Sequence, residues 1–188
     1  MEEGQRWCQK IASLGPVVMN TVAPTNLLDW MTVNEALVPA TVYGISHTHS
    51  VYRILEVAET IAGHLENLPS NPSTMLSIHQ LRGFSASPKS DSVFASREPH
   101  YMLEIVGCST TKELVKESQD WAFGLWKELQ EANGESILPT TYINLDVNDG
   151  KPSTLSRQFG NHVQEIVELK KQVDPDNVFN LTIPKLSE

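Results

Sequence analysis

The sequence predicts an α+β fold of the ferredoxin-like type, in which helices cover one face of an antiparallel sheet. Four stretches of β-forming residues and two stretches with helical periodicity follow one another in the order β-α-β-β-α-β. This order is the split βαβ arrangement, whose two helices pack on the same side of the sheet. The other side, which we call the open face, is left for a different use.

Length and composition support a single core. The chain has 188 residues, of which 40% are hydrophobic, so it is long enough for one substantial core and short for two full domains. We predict one domain with an N-terminal helical segment at 1–38. A ferredoxin-like core follows at 39–150, and a C-terminal helix and tail at 151–188.

The strands are predicted from short apolar and β-branched runs that are bounded by turn residues, at 40–48, 74–81, 101–107 and 138–149. The last run, LPTTYINLDVND, places Tyr142 and Asn144 on one side of the backbone because strand side chains alternate between faces. One face of this run carries a phenol and a carboxamide while the other is mostly apolar. This pattern indicates that the run forms the wall of a site.

The helices are predicted from apolar periodicity and capping residues. Apolar side chains recur at helical spacing over 51–65. Thr110 and Glu113 form a capping box that predicts the start of the second helix. Ser153 is predicted to cap a last helix in the C-terminal tail.

Alternation along the strands also predicts which side chains reach the open face. The set on the first strand is ambiguous and is assigned to the open face by elimination. The candidate open-face residues are Tyr142, Asn144, Met102, Glu104, Met75, Ser77 and His79, together with Tyr43, Ile45 and His47 of the first strand.

Charge and cysteine content exclude several classes of partner. A net charge of −9 and a pI near 5.1 argue against nucleic acid or an anionic membrane, and favour a small organic substrate or a protein partner. Cys8 and Cys108 have no disulfide-type or zinc-type spacing. His47 and His49 lack a second matched pair of ligands, so no metal is expected. Without an apolar leader or a membrane-spanning run, we expect a soluble cytoplasmic protein.

From about Ile11 to Leu186, the chain resembles the C-terminal half of the FAD-linked oxidases of the berberine-bridge-enzyme type. The segment 158–180, QFGNHVQEIVELKKQVDPDNVFN, is similar to the closing signature of that family. Tyr142 and Asn144 match its Tyr-x-Asn motif. Ser96 and Arg97, before the third strand, resemble its His-Arg pair, with Ser in place of the usual His.

The resemblance implies a substrate-binding sheet whose open face covers the flavin ring. It implies that Tyr142 is a candidate catalytic base and that Glu104 lines the same pocket. Asn144, Tyr43, His47, Met75, His79, Met102 and Arg97 are the corresponding candidates for substrate binding. The family holds FAD mainly through a preceding module, which this sequence does not show, and the sequence has no glycine-rich phosphate loop. We therefore expect no bound cofactor, with FAD as the alternative.

Three functions remain open at the level of sequence, and we favour the first. The first is a flavin-free tailoring enzyme, a cyclase or isomerase of secondary metabolism that uses Tyr142 and Glu104 as acid and base. The second is a truncated or split half of an FAD-dependent oxidoreductase. The third is a non-catalytic binding or assembly protein. An uncovered open face with Tyr43, Met75, Met102 and Val106 also predicts a homodimer or a higher homo-oligomer.

Overall fold

The computed structural model describes residues 2–20, 22–37, 39–84, 86–87, 92–94, 97–132, 134–145, 150–182 and 184–185. The chain divides into two compact units, Met1–Ala40 and Thr41–Glu188. The helices are α1 (Glu2–Ala12), α2 (Leu27–Leu37), α3 (Ala58–Leu65), α4 (Val115–Glu131), α5 (Pro152–Phe159) and α6 (Val163–Val173). The strands are β1 (Tyr43–Val51), β2 (Thr74–Leu81), β3 (His100–Ser109) and β4 (Ile137–Leu138). None of the helices described here is long and apolar enough to cross a membrane.

The first unit contains α1 and α2, each eleven residues long. Two acidic residues in the first turn of α1 and Lys10 in its last turn complement the helix dipole. Asn26 caps α2, because its Oδ1 accepts a hydrogen bond of 2.9 Å from the Asp29 N–H. The Asn26 amide in turn donates to the Asp29 carboxylate at 2.6 Å.

The second unit is built on a four-stranded antiparallel sheet with the order β2-β3-β1-β4. This order, with both intervening helices on one side, is the predicted ferredoxin-like arrangement. β3 lies at the centre, where Leu103 and Ile105 are fully buried. They pack with Trp121, Leu125 and Leu129 of α4. The sheet and its helices therefore share one core, as the periodicity predicts.

A glycine permits the close approach of α4 to the sheet. A Cβ added to Gly107 of β3 would lie 2.7 Å from the Cβ of Ala122 and 2.8 Å from the Ser118 carbonyl oxygen. No real side chain fits at these distances. The missing side chain of Gly107 thus sets how near α4 lies to β3.

The assignment of the first strand to faces was wrong. His47 lies directly opposite Ile105 in the β1–β3 register, and directly opposite residues share a face. Its ring stacks on Trp126 of α4, with centroids 5.3 Å apart. Tyr43 shares that face, where Lys112 lies 5.3 Å from its ring. The β1 residues that reach the open face are instead the alternate ones with small side chains, which include Thr48. The prediction by elimination had placed Thr48 on the helix-covered face.

The fourth strand is much shorter than the predicted 138–149. Pro139 has no N–H for a sheet ladder, and the chain turns at once, because the Thr140 N–H bonds the Leu138 carbonyl at 2.7 Å. Ile143–Leu145 then form a 3₁₀ turn. The remainder of the predicted strand, 146–149, lies outside the described residues.

Two predicted helix starts are also wrong. The capping box at Thr110 and Glu113 is not used, because α4 begins at Val115 without a side-chain cap. The last predicted helix begins at Pro152 after Lys151, and Ser153 does not cap it. It is two helices instead of one, because Gly160 has a φ of 56° and separates α5 from a short 3₁₀ turn and α6.

Candidate functional site

The Thr48 hydroxyl joins the sheet to the segment that carries Tyr142. Its Oγ1 lies 2.6 Å from Oγ1 of Thr141, and both side chains are buried. The same oxygen accepts a hydrogen bond of 3.2 Å from the Tyr142 N–H. One hydroxyl therefore holds the segment that carries Tyr142 against the sheet, although residues 139–145 form no ladder with β1.

Glu104 lies beside this attachment. It is directly opposite Thr48 on one side and Ser77 on the other, so the three side chains form a row across the open face. Its carboxylate is partly buried, and its Oε2 lies 3.0 Å from Nε2 of His79. This confirms the predicted faces of β2 and β3. A carboxylate hydrogen-bonded to an imidazole can take up and release a proton, which is the chemistry of a general base.

Tyr142 directly precedes the 3₁₀ turn and Asn144 lies within it. The Asn144 Nδ2 donates a hydrogen bond of 3.3 Å to the Tyr142 hydroxyl oxygen. Tyr142 is half-buried and Asn144 is exposed. The two side chains are neighbours as expected, but a turn brings them together instead of strand alternation. The phenol keeps its own O–H for donation while its oxygen accepts from the carboxamide.

Two methionines flank the row of polar side chains. Met102 lies opposite His79 and Met75 lies opposite Val106, both on the open face. Met102 and Val106 are 6% and 8% exposed, whereas Met75 is 46% exposed. The apolar area expected to drive oligomerisation through this face is therefore largely covered within the chain itself.

Arg97 is not in this group. It lines a separate cavity of about 510 Å³ at the end of β1, and none of Tyr142, Glu104 and His79 lines that cavity. Its guanidinium lies 5.0 Å from the Phe94 ring. Tyr43 and His47 lie on the opposite face of the sheet, as described above. Of the nine candidate site residues, four are assigned to the open face by the strand register, namely Met75, His79, Met102 and Glu104. Tyr142 and Asn144 lie on the segment that Thr48 attaches to the sheet.

The cavity contains polar groups that sequence reasoning missed. The Tyr52 hydroxyl donates a 2.6 Å hydrogen bond to the Glu98 carboxylate, and this bond raises the pKa of Tyr52 to about 12. Thr140 also lines the cavity, and its buried Oγ1 has no hydrogen-bond partner among the described residues. Such an atom requires a water molecule or a ligand atom. No sequence signal identified Tyr52, because its partner is 46 residues away.

Metal binding has no support in the described part of the chain, where no three His, Cys, Asp or Glu side chains come together. The site that these residues define is one of acid–base and hydrogen-bonding side chains: Glu104, His79, Tyr142, Asn144 and Thr48. It lies on one face of a ferredoxin-like α+β sheet.

Comparison with models of known protein families finds no match. The FAD-linked oxidoreductase aurO of Gibberella zeae is similar to this chain, with 28% identity over 180 residues. The similar region is 94% of this chain and 34% of that relative. The chain therefore spans about a third of the length of the relative, and it is similar over nearly all of its own length to part of an FAD-linked oxidoreductase.

Proposed function

We propose that this chain forms the substrate-binding part of an FAD-linked oxidoreductase of the berberine-bridge type. The similarity to aurO over 94% of the chain carries this proposal, because it extends through the whole sheet and the C-terminal helices. The Glu104–His79 pair on the open face supports it, as does the attachment of the Tyr142 backbone to Thr48, which lies directly opposite Glu104. The substrate would be a small organic molecule that lies against this face.

The flavin-free cyclase or isomerase would use the same side chains. It has less support, because the relative is named as FAD-linked and this chain covers only part of it. A split or truncated oxidoreductase accounts for that partial coverage directly. We therefore place the redox chemistry in an assembly that includes a flavin module.

The open face fits the ring of a flavin but not its phosphates. Ser77 and Asn144 offer both donors and acceptors, while Met75 supplies exposed apolar surface on the same face as Ser77. A flat heteroaromatic ring with polar edges matches such a surface. The sequence has no glycine-rich loop that opens a helix, which is the usual cradle of a pyrophosphate. This chain would hold the ring, and another module would hold the phosphates.

When bound, the flavin would accept the electrons of substrate oxidation. The residues of this chain would bind the substrate and move its proton. Glu104, which is hydrogen-bonded to His79, would accept a proton from a substrate on the open face. The Tyr142 hydroxyl would donate a hydrogen bond or a proton to the substrate. Asn144 would orient the phenol, because it donates a hydrogen bond to the phenolic oxygen.

A titration with lumiflavin, which is the flavin ring without ribityl phosphate, tests the proposal. The purified chain should quench lumiflavin fluorescence saturably, and FAD should bind no more tightly than lumiflavin. Asn144→Ala should weaken binding. Asn161→Ala is the matched control, because that carboxamide lines the separate cavity, and it should have no effect. An absence of saturable binding, or a loss caused by Asn161→Ala alone, would contradict the proposal.

A further inference from the structure

Among the residues that the structure describes, the outer edge of β2 has none of the usual protection of an edge strand. β2 is the last strand of the described sheet, and it is eight residues long. Edge strands of natural proteins are commonly short, or carry charged residues or proline that prevent pairing with another chain. The sequence of β2, TMLSIHQL, contains no Asp, Glu, Lys, Arg or Pro. Its unpaired backbone groups are therefore available to another strand.

β2 also exposes apolar side chains on both of its faces. Met75 and Leu81 lie on the open face and are 46% and 37% exposed. Ile78 lies on the helix-covered face and is 49% exposed. A strand that is apolar on both faces is typical of the interior of a larger sheet. Further pairing would cover these residues.

We propose that β2 pairs with β2 of a second copy of this chain, in an antiparallel manner, and that the two sheets join into one sheet of eight strands. This proposal does not depend on the proposed function, because β2 would pair through its backbone edge. It differs from oligomerisation through the open face, which the sequence predicts.

The spacing of the exposed apolar residues favours an identical partner. A two-fold axis normal to the sheet keeps the open faces of both copies on the same side. Because directly opposite residues share a face, such an axis must pass beside a residue that lies opposite the same residue of the second copy. When that residue is Ile78, Met75 lies directly opposite the partner's Leu81. Each of the three exposed apolar residues of β2 then meets an apolar residue. Ser77 lies opposite the partner's His79 in this register.

Charge also favours this edge for self-association. With a net charge of −9, two copies of this chain repel each other on average. Like charges that lie directly opposite in a strand pair are destabilising. β2 contributes no acidic or basic residue to such a pair, apart from His79, which is hydrogen-bonded to Glu104. Self-pairing at β2 therefore brings no acidic side chains of the two strands together.

A disulfide at the two-fold axis tests the register. Cys8 and Cys108 are free thiols and would first be replaced by serine. Ile78→Cys should then form a disulfide-linked dimer under mild oxidation, because directly opposite Cα atoms are about 4.5–5.5 Å apart and disulfides span about 4.4–6.8 Å. Met75→Cys should not cross-link to itself. It should cross-link when mixed with Leu81→Cys.

Sedimentation velocity tests the interface itself. The wild-type chain should be a dimer, and Ile78→Lys should be a folded monomer, because two lysines would lie opposite each other. Ser46→Lys is the control, because Ser46 lies on the open face two strands from this edge. It should leave the dimer intact. A monomeric wild type, a dimer that survives Ile78→Lys, or a dimer lost in Ser46→Lys would each overturn the proposal, with circular dichroism checking that each variant folds.

Discussion

Thr48 and Thr141 are 93 residues apart in the sequence, yet their hydroxyl oxygens lie 2.6 Å apart in a buried position. Thr48 also accepts the backbone N–H of Tyr142. This pair joins the central sheet to the segment that carries the proposed acid–base tyrosine. The position of the Tyr142 segment therefore depends on a side chain of β1 more than on strand pairing.

Replacing Thr48 by valine keeps the shape of the side chain and removes its hydroxyl. The Thr141 hydroxyl and the Tyr142 N–H then lose a buried partner, so the free energy of unfolding should fall by about 1–3 kcal/mol. Urea denaturation measures this loss. Thr48→Ser, which keeps the hydroxyl, should lose less. Equal stabilities of the valine variant and the wild type would show that the hydroxyl pair contributes nothing.

Replacing Tyr142 by phenylalanine removes one hydroxyl and keeps the ring. In the assembled oxidoreductase, turnover should fall by about 10²–10⁴-fold, which is the usual contribution of general acid–base catalysis. Tyr43→Phe is the control, because that tyrosine lies on the helix-covered face and its change should leave turnover unaltered. Steady-state rates measure both. Wild-type turnover in the Tyr142→Phe variant would show that this hydroxyl takes no part in the chemistry.

Replacing Glu104 by glutamine tests the proposed base separately. The amide keeps the size of the side chain but cannot accept a substrate proton, so turnover should fall within the same range of about 10²–10⁴-fold. His79→Gln should lower turnover less, because His79 acts through Glu104. Steady-state rates measure both variants. Wild-type turnover in Glu104→Gln would contradict the assignment.

Glycine-to-alanine changes at two positions should have opposite effects. In Gly107→Ala, the new methyl group would meet Ala122 and Ser118 of α4 at distances that force the helix to move. Overpacking of this kind costs about 1–3 kcal/mol. In Gly124→Ala, the nearest atom is 3.5 Å away, on the His64 ring. Since glycine is a poor helix former, that change should stabilise the fold by about 0.5–1 kcal/mol. Thermal unfolding of both variants checks the two signs.

His49 should make the fold sensitive to mild acid. Burial lowers the pKa of His49 from 6.5 to about 4 in the folded chain. The unfolded chain therefore binds a proton at His49 more readily than the folded chain does. The contribution of His49 to stability is full above pH 6.5 and is lost as the pH falls from 6.5 to about 4. The loss from this group is about 3 kcal/mol. The free energy of unfolding of the wild type and of His49→Gln, compared between pH 4 and 6.5, isolates the contribution of His49. Parallel pH profiles would contradict the assignment.

Sequence patterns identified much of the fold but only part of the site. The faces of β2 and β3 follow from strict alternation, and they place His79 and Glu104 correctly. β1 carries His47 on one side and Thr48 on the other, so polarity could not decide its orientation. The β1–β3 register and the stacking of His47 on Trp126 reveal it. The Thr48–Thr141 pair requires a contact between distant segments, which no local pattern contains. The early end of β4 does have a local signal, which is Pro139.

The short β4 has a consequence for how this protein can change in evolution. A wall that was a full strand would be fixed in register with β1, and adding or removing one residue would turn every following side chain to the other face. Among the described residues, only Ile137 and Leu138 of this segment pair with β1, and residues 140–145 lie outside the ladder. Insertions between 139 and 145 can reshape the wall while the β1–β3 pairing under Glu104 stays the same. Substrate preference can then diverge without loss of the carboxylate that we propose as the base.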